Sequence, residues 1–228
     1  MNKPDTVANV TALRTPLHTF LLCCGFSGGI LFSIINFSFG AITPHYDMMR
    51  QPINELELIR HGWIQSANFV VLGLFVCAYA LGLRKELVSG FGATLIPLSQ
   101  LFLAAGFILT GLFIHQPMNN IAGAISFMAM LSSFLLFAIR FARDARWKGW
   151  AAYTVLSAVL IIAAIALFGY TQQRDAPYAA MFERLVILVR MVWALVFLLR
   201  LLNGRRLGPV KQGATSPVLT EQAEHAGE

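Results

Sequence analysis

The stretch HGWIQSANFVVLGLFVCAYALGLRK, residues 61–85, decides the fold. Residues 63–83 carry no charged side chain, and at about 1.5 Å of rise per residue such a helix covers the roughly 30 Å hydrocarbon core of a bilayer. Arg84 and Lys85 close the run with two cations, as expected where a helix leaves the membrane. At its other end His61, Gln65 and Asn68 fall at i, i+4 and i+7, so one stripe of an otherwise apolar helix is polar.

Working outward, the same test finds five more apolar runs, at 17–42, 91–114, 121–141, 151–170 and 181–202. The composition agrees: 57% of residues are hydrophobic, 12% are charged, and the mean hydropathy is +0.66. A water-soluble globule carries about 25% charged residues, so that class is excluded, as is disorder. Cys23, Cys24 and Cys77 lie inside apolar runs and read as packing residues, not as a disulfide framework. The run 17–42 is longer than the apolar core of a cleavable signal and carries Gly25, Gly28 and Gly29 in its middle, so it is expected to be retained. The expected architecture is all-α: a polytopic six-helix transmembrane bundle at 17–203, after a cytoplasmic segment at 1–16 and before a disordered cytoplasmic tail at 204–228.

Orientation follows from the cations. Lys3, Arg14, Arg84, Lys85, Arg140, Arg143, Arg146, Lys148, Arg200, Arg205, Arg206 and Lys211 fall on one side, against Arg50, Arg60, Arg174 and Arg184 on the other. That asymmetry places both termini in the cytoplasm, with the chain in a plasma or bacterial inner membrane. The net charge of +6 is thereby explained by short clusters between spans, and no nucleic-acid partner is expected.

The outward side holds the unusual chemistry. Segment 43–62 contains His45, Tyr46, Asp47, Arg50, Asn54, Glu55, Glu57, Arg60 and His61; the second outward segment supplies His115, Gln116, Asn119 and Asn120; the third supplies Asp175, Glu183 and Arg184. In a compact bundle the three converge, which makes a shared polar site available. Arg190 lies two turns beyond Glu183 within the last apolar run. An unpaired arginine there costs about 2.5–3.5 kcal/mol on insertion scales, so it is expected to face the bundle interior or a hydrated cavity, with Glu55, Asp175 or Glu183 as its partner.

Glu55 and Glu183 are the candidate acid–base residues. Arg190, Arg184, His61, Gln65, Asn68, Arg50 and His115 are the candidate binding residues, the arginines offering forks for phosphate or carboxylate. The competing reading is that polar residues such as Gln65, Asn68 and Asn36 only hydrogen-bond neighbouring helices. His45, His61 and His115 lack any metal-binding spacing, so no metal site is assigned, and no cofactor is named. There is no G-x-S-x-G and no phosphate-binding loop.

Tyr46–Asp47 with Ile53–Asn54–Glu55–Leu56, Ala80–Leu81–Gly82–Leu83, Gly111–Leu112–Phe113 with Gln116–Pro117, and Phe182–Glu183–Arg184–Leu185 followed by Trp193 and Arg200–Leu201–Leu202 resemble the signatures of the domain-of-unknown-function family 998. Asn54 stands where that family usually has Ser, Glu57 where it has Gly, and His115–Gln116 where it has Thr–Asp. The resemblance implies a small multi-pass membrane protein without a settled activity, and its shared residues Glu55, Glu183 and Arg184 fall in the outward cluster. From Arg190 and the outward arginines, the expected function is an outward-facing polar site that binds or handles an amphipathic, anionic, lipid-like molecule such as a lipid or isoprenoid. An intramembrane enzyme and a structural or accessory subunit remain the alternatives, and the oligomeric state is open.

Overall fold

A computed structural model of the chain describes residues 15–115, 117–203 and 207. It has six helices, α1 Pro16–Ile42, α2 Trp63–Glu86, α3 Leu95–Leu112, α4 Met118–Ala142, α5 Trp150–Gln172 and α6 Ala179–Leu202, and among the described residues no strand. All six are long and apolar enough to cross a membrane. Large side chains such as Leu74, Leu135, Leu156 and Leu188 point outward. That surface would be a liability in water and is what acyl chains require.

The helices pack in chain order and α6 returns to α1, so the bundle is a closed ring whose α1–α6 seam is the most loosely packed. Small residues set the tightest approaches. A Cβ on Gly106 would sit 2.2 Å from the Ser126 hydroxyl oxygen and 3.0 Å from the Ala122 carbonyl oxygen, so α3 and α4 meet almost backbone to backbone.

The expected span 91–114 is longer than α3, and the reason is local. Gly90 and Gly92 adopt φ of +88° and +75°, a left-handed conformation no helix continues through, so Phe91 belongs to the turn despite its hydropathy. Arg140 braces that turn, donating to the carbonyls of Phe91 and Ser89 at 2.5 and 3.1 Å and also to that of Leu207. Leu207 is buried, and its N–H lies 3.4 Å from Glu86 Oε1. Of the segment 204–228, Leu207 alone is described.

Toward this Arg140 end, the interior between α4, α5 and α6 is filled by rings. Phe134, Phe137, Phe141, Trp147, Trp150, Trp193 and Phe197 form a continuous chain of stacked, tilted and edge-on pairs with centroids 4.8 to 6.2 Å apart. The Trp193 indole N–H is satisfied by Thr154 at 3.1 Å, so this ring enters the core without an unpaired donor.

Candidate functional site

At the opposite end, segment 43–62 folds back over the ring and contains a 3-10 helix, Ile53–Glu57, which the mixed-charge sequence does not announce. Three side chains from the bundle fasten it. Glu183 Oε2, in the first turns of α6, accepts the backbone N–H of Ile53 at 2.9 Å. Arg184 donates to the Tyr46 hydroxyl at 3.0 Å and the Gln51 carbonyl at 3.4 Å, and that hydroxyl lies 3.1 and 3.0 Å from the carbonyl oxygens of Gln51 and Pro52. Asn119, at the start of α4, donates to Glu57 Oε2 at 3.3 Å and accepts from Asn54 at 3.2 Å.

The segment then turns sharply into α2. His61 sits at φ +68°, and a Cβ on Gly62 would lie 2.1 Å from the Glu57 carbonyl oxygen, so only glycine permits the approach. His45 and Asp175, in the loops at this same end, also adopt positive φ. Such backbone strain persists only where surrounding contacts over-determine it. Glu57 is buried beneath the segment, and loss of hydration pushes its carboxyl up to about 7, with the Ser66 and Asn119 hydrogen bonds pulling weakly the other way. Burial likewise raises Tyr46, against the nearby Arg184 charge.

Under this cap lies a cavity of about 240 Å³. Its walls are apolar and aromatic, with Phe32, Phe69, Phe107 and Phe127 from four different helices. Its polar groups are few: Asn54, Thr110, Asn119, Ser126, Glu183 and Arg190. The Arg190 guanidinium carbon is 5.9 Å from the Phe107 ring centroid, a cation–π distance. At about 1.5 Å per residue it sits roughly 16 Å below the α6 N-terminus, deep in the spanning region.

Glu183 and Arg190 thus face one cavity, as their spacing suggests, but the expected carboxylate partner of Arg190 is not there. Asp175 pairs with Arg50 at 3.8 Å on the surface, Glu55 accepts from Gln51 at 3.1 Å, and Glu183 is engaged by Ile53. Among the described residues Arg190 makes no hydrogen bond or ion pair. Glu55 and Asp175 sit in the connecting segments at the rim and Glu183 in the first turns of α6, while the same helix carries the arginine two turns further in, a difference in depth that residue spacing alone cannot foresee.

The remaining candidates separate. His61, His115 and Arg50 are exposed and do not line the cavity. Gln65 and Asn68 are buried, and Asn68 donates to the Phe32 carbonyl at 3.0 Å and to Gln65 Oε1 at 3.3 Å, which ties α2 to α1. Among the described residues no group of three His, Cys, Asp or Glu side chains gathers as a metal site. Sequence reasoning missed Asn119 as the hub and Glu57 as a buried acid. Their signal was the pair of departures at Asn54 and Glu57, both of which reach that one asparagine.

No curated protein and no solved structure matches the chain. The family described as Protein of unknown function (DUF998) matches it over residues 26–200, from the middle of α1 to the end of α6. This integral membrane protein belongs to that family.

Proposed function

We propose that the bundle binds an anionic amphiphile in its central cavity, the anionic end at Arg190 and the apolar part among the phenylalanines. The observation that carries this reading is a guanidinium deep in a membrane span, facing an apolar cavity, with no counter-ion among the described residues. An unpaired cation at that depth is costly, and a ligand carboxylate or phosphate removes the cost when it enters. The cavity is smaller than the roughly 300–1,000 Å³ of drug-sized pockets, which favours a compact or single-chain molecule over a two-chain phospholipid. The rim, with the cap segment and Glu183, lies on the non-cytoplasmic side, and both termini are cytoplasmic, on the distribution of Lys and Arg. Of the acid–base candidates Glu183 alone lines the cavity, so binding is favoured over catalysis.

Gently extracted protein, examined by native mass spectrometry and by solvent extraction, tests the reading. Wild type retains a compact or single-chain anionic amphiphile, Arg190→Ala loses it, and Arg190→Lys keeps part of it. Equal retention by wild type and Arg190→Ala, with both folded, overturns it.

A further inference from the structure

The α1–α6 seam opens sideways into a second space, a groove of about 590 Å³ on the flank of the bundle. Its walls are apolar and rich in flexible thioethers, with Met48, Met49, Met181 and Met191 among them. Two hydrogen-bond donors stand in this lining without partners. Asn36 is 2% exposed and its Nδ2 makes no hydrogen bond among the described residues, and Arg184 Nε is likewise buried and unpaired. Both are donors, which an oxygen-rich anion satisfies and an acyl chain does not.

Their level in the membrane is informative. Arg184 lies five residues into α6 and Asn36 six residues before the end of α1, so each is about 8–9 Å in from the same end of the bundle. That is where a phospholipid head meets its chains, and the groove continues from there toward the middle of the span along Phe32, Leu188 and Met191.

We propose that the seam is a binding site for one anionic phospholipid, its phosphate held by Asn36 and Arg184 and one chain laid between α1 and α6. Phe32, Ile187 and Met191 line both the groove and the central cavity. Met191 is their flexible partition: its sulfur accepts from the Ser33 hydroxyl at 3.2 Å, and its Cγ would lie 3.3 Å from a Cβ on Gly29. The seam site stands on its own donors and does not require that the central cavity hold a ligand.

Protein in nanodiscs of phosphatidylcholine with a minor fraction of phosphatidylglycerol tests this, with bound lipid counted by native mass spectrometry after release. Wild type retains one phosphatidylglycerol in preference to phosphatidylcholine. Asn36→Leu, which keeps the volume and removes the donor, lowers that retention roughly tenfold. Leu188→Trp, which fills the groove from a lipid-facing position, lowers it as far, while Leu156→Trp, on the exposed face of α5 outside both cavities, leaves it unchanged. Wild-type retention by both Asn36→Leu and Leu188→Trp, equal retention of the two lipids, or a dimer that buries the seam overturns the proposal.

Discussion

The Asn119 side chain of α4 donates to Glu57 Oε2 at 3.3 Å, which joins the cap segment to the helix across the cavity mouth. The same asparagine takes the Asn54 amide, so both positions where the cap departs from the family pattern end on one side chain. The cap is held on one edge by this pair and on the other by Glu183 and Arg184 of α6. Each edge can be cut separately.

Glu57 makes the first edge sensitive to pH. Its carboxyl is raised from 4.5 to about 7 by burial, so the folded protein favours the protonated form. The stabilisation is fully present below about pH 4.5 and is lost as pH rises through 7, a change of about 2 kcal/mol after allowance for solvent screening. Thermal unfolding in detergent at pH 5 and pH 8 is expected to show the higher midpoint at pH 5, and Glu57→Gln is expected to remove most of the difference. An unchanged difference in Glu57→Gln assigns the titration elsewhere.

The second edge depends on a planar fork. Arg184→Lys keeps the charge but cannot reach the Tyr46 hydroxyl and the Gln51 carbonyl together, at a cost of about 1–3 kcal/mol. Hydrogen exchange is expected to rise across residues 46–57 while α2 to α5 stay protected. Tyr46→Phe is expected to reproduce the pattern at about 1 kcal/mol.

Close approach of α3 and α4 sets a third expectation. Gly106→Ala forces the added carbon into the Ser126 hydroxyl and the neighbouring backbone, so the helices must separate, at a cost of about 1–3 kcal/mol. Gly123→Ala, in the same pair of helices with open space around its Cβ, is expected to be neutral or slightly stabilising. The two variants compared by thermal unfolding isolate packing from propensity.

At the far end, Arg140→Leu leaves the carbonyls of Phe91, Ser89 and Leu207 without their shared donor. A loss of about 2–4 kcal/mol is expected, with faster exchange in the 87–94 turn. Exchange in the cap segment is expected to stay as in wild type, because the aromatic cluster lies between.

What the sequence makes legible is what hydropathy and charge encode locally. Each of the six runs is a helix, and most of their bounds fall within three residues of the structure; α3, which begins at Leu95 where the run begins at 91, is the exception, because glycine conformation, not hydropathy, sets its start. The 3-10 helix over the cavity is not legible, since Ile53 and Leu56 among polar neighbours read as loop, although both are buried in the fold. The site is legible in outline through Glu183 and Arg190, which share a helix face at fixed spacing. Asn119 is not, because its partners come from a segment more than sixty residues away. The missing counter-ion of Arg190 has the same origin: periodicity fixes which face a residue takes, and only the packed structure fixes its distance from acids on other elements.

The seven interlocked rings toward the Arg140 end give the molecule a dead end. A vessel shut at one side has no continuous water column from one leaflet to the other, so reconstituted protein should be electrically silent in a planar bilayer. A ligand of the kind proposed for the cavity or the seam would have to leave by the side it entered, unless those indoles and phenyls part.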